Sequence, residues 1–196
     1  MNQELVQAFK DNFRKMANEM HTAIPGKIIS FDPASGMASV KPTVRFVKPD
    51  KSTMDFPEIS GVPVCFPQGA GQNVSMAFPV VAGDSCLLVF GEQSLDYWQY
   101  GQETGTDLRF DLSNAICIPG LFNTGNAAMQ RACAENAVVL AAGGCSIAVS
   151  GNGITIKGNV TVEGNVTTSG DTVSAGISVS MHTHTGDSGG QTGGPQ

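Results

Sequence analysis

The amino-acid sequence predicts an all-β protein with one short helix near its N-terminus. Charged residues make up only 14% of the chain, against about 25% in an average globular protein. Glycine is abundant, at 24 of 196 residues, as expected for a chain with many tight turns. Short runs of β-branched and aromatic residues alternate with clusters of turn-forming residues. A disordered chain would be rich in charge and poor in valine, so this composition indicates folded β-structure.

The first segment, residues 1–22, is predicted to be helical over residues 3–20. Its apolar residues recur at three- and four-residue spacing, with charged residues between them. They are Leu5, Phe9, Phe13, Met16 and Met20. The pair Pro25-Gly26 prevents the helix from continuing. We favour an amphipathic helix that packs on its own domain or on a partner over one that lies on a membrane surface.

The second segment, residues 23–120, is predicted to form a small β-barrel. Its strand candidates are KIISF, MASVKPTVRFV, VPVCF and CLLVF, and the turn clusters are DPASG, PDKST, PQGAG and VAGDS. About five strands in about a hundred residues suit a small barrel, and the OB-fold is the leading candidate. The aromatic run QSLDYWQYG, which contains Trp98, is either a surface turn or subunit contact, or a part of the core.

Residues 121–136 are polar and small, and we interpret them as a connector. Residues 137–180 contain no aromatic residue and only three charged ones, so their composition differs sharply from that of the barrel. Branched aliphatic residues alternate there with polar ones, which is the period of a strand with one apolar face. They are Ile154, Ile156, Val160, Val162 and Val166. The tripeptide GNV recurs at 158–160 and 164–166.

The apolar row in residues 137–180 predicts self-association. One chain has too few short strands to close a core around it, and two-stranded pieces are marginal in water. A single-chain β-solenoid would need more rungs than about forty residues provide. We therefore expect an obligate homotrimer in which three copies wind around one axis as a triple-stranded β-helix shaft, with the aliphatic side chains inside.

Residues 181–196 are predicted to form an apex with a metal site. His182 and His184 are two residues apart, and such residues on an extended strand point the same way, with Cα atoms about 6.6 Å apart. Three copies would supply six imidazoles, which form a closed octahedral shell and hence a structural site. Iron is our first choice, because structural zinc usually takes four ligands. The alternative is a polar tail that binds no metal.

The remaining candidate ligands are weaker. Asp187 could bind a second cation such as Ca²⁺, but it supplies only one carboxylate per chain. The third histidine, His21, is far away in sequence and is expected to be an ordinary residue of its domain. No catalytic residue and no other cofactor is predicted.

Charge and cysteine usage exclude several classes of protein. The net charge of −6 and the pI of about 4.9 argue against binding to nucleic acid or to an anionic membrane surface. The N-terminal residues lack the apolar core of a signal peptide, and no apolar run approaches the roughly 20 residues of a membrane span. The cysteines are odd in number and form no C-x-x-C motif, so we interpret them as small buried hydrophobes in a protein that folds in a reducing compartment. They are Cys65, Cys86, Cys117, Cys133 and Cys145.

Four segments together resemble the central spike proteins of contractile tails. They are VPVCFPQGAG and FPVVAGDSCLLVFGEQSLDYW in the barrel, GNVTVEGNV in the shaft and HTHTG around His184. Such spikes occur in Mu-like and P2-like phages, in R-type pyocins and in phages whose spike carries the Gp138 N-terminal domain. The resemblance implies an OB-fold domain, a triple-stranded β-helix and a pointed apex that holds an iron ion through His182 and His184 of each chain.

The resemblance also implies a place and a task. The spike would sit at the centre of the baseplate of a virion or pyocin particle, contact hub and tail-tube proteins, and be made in the host cytoplasm. It would be driven through the bacterial outer membrane when the sheath contracts. The N-terminal helix has no clear counterpart in the family, and docking to the hub or tube is one role open to it.

We expect a structural protein and not an enzyme. Acidic residues suited to glycoside hydrolysis are present, but no motif marks a pair among Glu58, Asp84, Glu92 and Asp96. No G-x-S-x-G, H-E-x-x-H or Walker sequence occurs. The main alternative is a trimeric glycan-binding tail fibre or adhesin. Adhesin tips usually display aromatic residues that stack on sugars, and the C-terminal third of this chain has none.

Overall fold

Two units make up the chain, residues 1–125 and residues 126–196. The computed structural model describes residues 3–48, 50–102, 105, 108–186 and 188–194. Strands dominate both units, as the composition predicts. Within the described ranges, no helix is both long enough and apolar enough to cross a membrane.

The first unit begins with helix α1, Gln3–Asn18, where the periodicity predicts a helix. Every α1 side chain that the structure describes is exposed. Phe9 and Phe13 are 74% and 66% exposed, so α1 does not bury its apolar face in its own domain.

Five strands of the first unit form one antiparallel sheet in the order β5-β2-β1-β8-β9. The strands are β1 (Ala23–Asp32), β2 (Met37–Pro42), β3 (Arg45–Val47), β4 (Thr53–Asp55), β5 (Ile59–Pro63), β6 (Gln68–Gly69), β7 (Val74–Ser75), β8 (Ser85–Phe90) and β9 (Ala115–Pro119). The pairs β3–β4 and β6–β7 form separate two-stranded sheets. A short 3-10 helix, Leu112–Asn114, leads into β9.

The five-stranded sheet curls until its two edge strands meet. Val64, directly after β5, forms a parallel bridge with Cys117 of β9. The backbone N–H of Cys65 also donates to the carbonyl oxygen of Cys117 at 2.8 Å. These contacts partly satisfy two sheet edges that would otherwise expose unpaired backbone groups.

The core of the first unit lies inside this curl. Alternate residues of β8 point inward, so Cys86, Leu88 and Phe90 are buried. The complete buried cluster is Ile28, Ala38, Val40, Ile59, Val62, Cys86, Leu88, Phe90, Ala115 and Cys117. Gly26 lets β1 cross this cluster closely, because a Cβ there would lie 2.9 Å from Cγ1 of Val40.

Several strands differ from the sequence expectation, and the short strands β4, β6 and β7 were not among the candidates. The candidate MASVKPTVRFV splits into β2 and β3 just after Pro42, which has no N–H to donate to a ladder. Strand β9 was not among the candidates, although Ala115 and Cys117 alternate inward as a half-buried strand requires. Its sequence, AICIP, is short and ends in proline, so its strand signal is weak.

The aromatic run lies on the surface. It forms the short helix α2, Asp96–Tyr100, which ends at Gly101 in the left-handed conformation. Tyr97, Trp98 and Tyr100 are between 63% and 69% exposed. Of the two sequence interpretations, surface turn or core, the structure supports the first.

The second unit begins with a helix that the sequence interpretation missed. Helix α3, Ala127–Glu135, occupies most of the segment interpreted as a connector, residues 121–136. The side chain of Asn126 accepts a hydrogen bond from the backbone N–H of Met129 at 2.9 Å and caps the helix. Alanine-rich helices such as this one show little apolar periodicity, which explains the error.

The strands of the second unit form two antiparallel sheets. They are β10 (Val138–Ala142), β11 (Cys145–Ser150) and β12 (Gly153–Lys157) in one sheet, and β13 (Val173–Ser174) and β14 (Ile177–Ser178) in the other. Helix α3 covers one face of the larger sheet, where Ala148 is buried and Arg131 donates a hydrogen bond to Ser146 Oγ at 2.8 Å.

The side chains on the other face of that sheet are exposed, and we call this face the aliphatic face. Its side chains form two cross-strand rows. The rows are Val138–Val149–Ile154 and Leu140–Ile147–Ile156. All six are exposed, from 41% for Ile147 to 68% for Val138 and Ile154. Beyond β12, residues Val160, Val162 and Val166 are also exposed and lie outside the strands.

The cysteine interpretation is wrong for three of the five residues. Cys86 and Cys117 are buried on β8 and β9, whereas Cys65, Cys133 and Cys145 are exposed. The exposed three lie at less covered positions: just after β5, on the outer side of α3 and at the start of β11. All five are free thiols.

Candidate metal centre

The segment that carries the predicted histidines starts from the β13–β14 hairpin. Its turn residues, Ala175 and Gly176, both have positive φ, at 49° and 83°, which is the conformation of a tight two-residue hairpin turn. The backbone N–H of Val179 donates to the carbonyl oxygen of Thr172 at 2.8 Å and extends the pairing by one residue. The hairpin thus brings the chain back alongside Asp171 before it reaches His182.

Asp171 ties down the end of this hairpin. Its carboxylate accepts hydrogen bonds from the backbone N–H of Ser180 at 3.1 Å and from the Ser180 hydroxyl at 2.7 Å. The backbone N–H of Met181 donates to Ser178 Oγ at 2.8 Å. The residues directly before His182 are therefore fixed by side-chain contacts rather than by a sheet.

His182 is held in one tautomer. Its Nδ1 lies 2.8 Å from the carbonyl oxygen of Ser178 and 3.1 Å from that of Val179. Carbonyl oxygens only accept, so Nδ1 carries the proton and donates. Nε2 therefore keeps its lone pair, which is the arrangement that metal-ligating imidazoles adopt. The ring is half-buried.

His184 is held through its backbone. Its N–H donates to Thr192 Oγ1 at 2.9 Å, and its carbonyl oxygen accepts from the N–H of Thr192 at 2.9 Å. Thr185 and Gln191 form an antiparallel bridge next to this pair. The glycine-rich segment after His184 thus folds back on it.

The two predicted ligands do come together. The ring centroids of His182 and His184 are 5.1 Å apart, with an interplanar angle of 86°. Among the described residues of one chain, no group of three His, Cys, Asp or Glu side chains is placed to hold a metal ion. Asp187, the candidate Ca²⁺ ligand, lies outside the described residues. A single chain therefore contributes two neighbouring candidate ligands, the imidazoles of His182 and His184.

The third histidine is elsewhere in the structure. The ring of His21 packs against Phe56 and Phe90, each at a centroid distance of 5.7 Å, as expected of an ordinary domain histidine.

Sequence reasoning missed the groups that position His182. Asp171 entered the sequence analysis only as one of three charged residues. The backbone carbonyls of Ser178 and Val179 cannot be recognised from a sequence motif. The available signal was the D-T-V-S-A-G-I-S stretch, in which an Ala-Gly turn between Val and Ile predicts a hairpin.

Comparison with known families gives one match in the first unit and a second match that includes the two histidines. Residues 24–120 match the phage protein Gp138 N-terminal domain. Residues 176–196 match the GpV Apex motif. Both are families of phage baseplate central spikes. This chain belongs to the phage baseplate spike proteins. The two matches together cover more than half of the spike protein, and the second includes both His182 and His184. No curated protein matches the chain.

Proposed function

We propose that this spike protein is the membrane-piercing tip of a contractile phage tail or pyocin. Three copies would form one spike that is driven through the bacterial outer membrane when the sheath contracts. The spike would act mechanically, and the sheath would supply the energy. Its partners would be the hub and tail-tube proteins of the baseplate, and it would be made in the host cytoplasm before assembly.

The aliphatic face is the observation that carries this proposal. Six branched or large aliphatic side chains on one sheet face lose contact with water only if another surface covers them, and such a patch on a monomer usually marks an interface. A groove of about 490 Å³ between this face and Val160 leaves room for a neighbour's side chains. Two further copies of the chain would cover all three faces and give a stiff trimeric shaft.

The strand arrangement of the first unit supports an OB-fold. Antiparallel strands β5-β2-β1-β8-β9, with a parallel contact between the two ends of the series, match a small five-stranded barrel that closes on itself.

The fixed tautomer of His182 supports a metal ion at the apex. Two imidazoles per chain give six in a trimer, and a complete shell of six nitrogens leaves no position for a substrate. We propose iron, held by His182 and His184 of each copy, as a structural ion that pins the three chain ends together. Ca²⁺ at Asp187 is a weaker second proposal.

Native mass and elemental analysis test the trimer and the metal together. We expect a trimer with one iron ion, and the double variant His182→Ala/His184→Ala should lose the iron and stay trimeric. His21→Asn is the matched control and should keep the metal. A monomeric, metal-free wild-type protein would overturn the proposal.

A trimeric glycan-binding fibre or adhesin is the second candidate, and the exposed aromatic side chains of Tyr97, Trp98 and Tyr100 favour it. Particles whose spike carries Tyr97→Ala, Trp98→Ala and Tyr100→Ala separate the two functions. A piercing tip predicts particles that adsorb normally and stay infectious. An adhesin predicts particles that fail to adsorb, together with a positive glycan array for the purified protein.

A further inference from the structure

The exposed apolar side chains of α1 and the residues just after it follow a seven-residue repeat. Val6, Phe9, Phe13, Met16 and Met20 are separated by three, four, three and four residues. They therefore keep the a and d spacing of successive heptads, which forms a narrow apolar seam along one side of a helix. The first four lie on α1, and Met20 follows its end. Their exposed fractions range from 39% for Val6 to 74% for Phe9. We call these five side chains the α1 stripe.

The first unit does not cover the α1 stripe. The polar side of the helix, with Asp11, Arg14 and Lys15, instead lines a cleft of about 660 Å³ together with Phe46 and Val47 of β3. Since the polar side is the one turned toward the domain, the stripe is left for a different surface.

We propose that three copies of α1 join through the α1 stripe as a parallel three-helix coiled coil. The inference rests on the proposed homotrimer, which would contain three equivalent copies of the helix. A heptad seam is the pattern that pairs a helix with copies of itself, because each a or d side chain fits between four residues of a neighbouring helix.

The area of the stripe suits this occupant. If each of the five side chains buries roughly 100 Å², one copy buries about 500 Å² and three copies about 1,500 Å². Stable protein interfaces bury about 1,200–2,000 Å². The stripe is therefore large enough for a specific association of three helices.

The residues that flank the stripe are compatible with parallel copies. Positions g and e of neighbouring helices would bring Leu5 opposite Lys10, and Asn12 opposite Ala17. No two like charges meet at these positions, so no repulsion opposes the association.

The charge of the helix disfavours a membrane surface as the occupant. Residues 3–20 carry three basic and three acidic side chains, which are Lys10, Arg14, Lys15, Glu4, Asp11 and Glu19. Helices that lie on anionic membranes have a polar face rich in lysine and arginine. A neutral polar face lacks that attraction.

The coiled coil would depend on the rest of the spike. Helix α1 has 16 residues, close to the length of about 12–15 residues below which isolated helices are marginal in water. A trimer formed elsewhere in the chain would hold three copies of α1 at a high effective concentration and allow a short coiled coil to form.

Cysteine cross-linking of the full chain tests the proposal. In a background with Cys65, Cys133 and Cys145 replaced by Ser, Phe13→Cys places one thiol in the stripe. Ala8→Cys places one at an exposed position outside the stripe as the matched control. A short bis-maleimide should join two of every three Phe13→Cys chains into a species of twice the chain mass. The rate should be about tenfold or more above that of Ala8→Cys. Met16→Cys repeats the test at a second stripe position.

Native mass spectrometry of the same samples distinguishes this inference from the proposed function. A trimer in which Phe13→Cys and Met16→Cys cross-link no faster than Ala8→Cys would overturn the coiled coil and leave the trimeric spike intact. The stripe would then be the contact surface for a different baseplate protein. A monomer would overturn both proposals.

Discussion

The carboxylate of Asp171 is bound to Ser180 through both the hydroxyl and the backbone N–H of that serine, at 2.7 Å and 3.1 Å. Together with the Ser178 hydroxyl, these donors stabilise the ionised carboxylate and lower the pKa of Asp171 to about 2. The contact joins the residue two positions before the β13–β14 hairpin to the residue two positions before His182. Asp171 therefore helps to fix the position of the segment that carries His182.

Replacing Asp171 should loosen this segment without unfolding the barrel. Asp171→Asn weakens the acceptor that holds Ser180, so hydrogen exchange of the Ser180 and Met181 amides should accelerate about tenfold. Exchange measured by mass spectrometry on the full protein checks this.

Asp50→Asn is the matched control, because Asp50 accepts from the N–H and hydroxyl of Ser52 in the same way, at 2.9 Å and 2.6 Å. It should leave exchange at the apex unchanged. Equal exchange of Ser180 in Asp171→Asn and in the wild type would show that the carboxylate does not anchor the segment.

Acid should release the same contact in a defined pH window. The pKa of Asp171 is lowered from 3.8 to about 2 in the folded protein, so its stabilising effect is fully present above about pH 4. That effect is lost as the pH falls through about 2. The Ser180 amide resonance, followed by NMR between pH 5 and pH 1.5, should titrate with a midpoint near 2. A midpoint near 3.8 would mean that the bonds contribute nothing.

A methyl group at Gly26 should destabilise the barrel. A Cβ there would lie 2.9 Å from Cγ1 of Val40, 3.1 Å from Sγ of Cys86 and 3.1 Å from Cδ1 of Leu88. We expect Gly26→Ala to lower the free energy of unfolding of the first unit by about 1–3 kcal/mol. Gly69→Ala, where nothing lies within 4 Å of the new Cβ, should change it little. Urea denaturation of both variants measures the difference, and equal midpoints would contradict the close approach of β1 to the core.

Charge on the aliphatic face should block assembly. Ile156→Asp would place a carboxylate in the row Leu140–Ile147–Ile156. Burying that carboxylate in an interface would be unfavourable, because the charge would lose its hydration. Thr155→Asp adds the same charge on the opposite side of the same strand. Sedimentation analysis should find monomers for the first variant and trimers for the second. Trimers in both would show that another surface holds the copies together.

Sequence patterns predicted the elements whose side chains keep a clear helical or strand period. Helix α1 was predicted because its apolar residues keep a helical spacing, although nothing in the pattern indicates that they stay exposed. CLLVF was predicted as a strand because Cys86, Leu88 and Phe90 alternate inward in β8. By contrast, β9 and α3 have weak local signals and are stabilised by their neighbours, so short-range patterns did not reveal them.

For the candidate site, the sequence predicted only the two histidines. The spacing of His182 and His184 singled them out as candidate ligands, and their ring centroids lie 5.1 Å apart. The backbone carbonyls beside His182 and the carboxylate of Asp171 are brought close to it by the β13–β14 hairpin, and its D-T-V-S-A-G-I-S signal does not indicate these contacts. Tertiary contacts of this kind depend on the path of the chain, which periodicity does not encode.

The position of the aliphatic face in the chain has a consequence for synthesis. Strands β1–β9 all precede β10, so a ribosome completes the first unit before it has made the sheet that carries the face. In the proposed homotrimer, a newly released chain would then combine a folded first unit with six uncovered aliphatic side chains until it meets other copies. Scarce chains would stay in this state for longer and be prone to aggregate. The yield of finished spikes should therefore rise more steeply than the amount of protein translated.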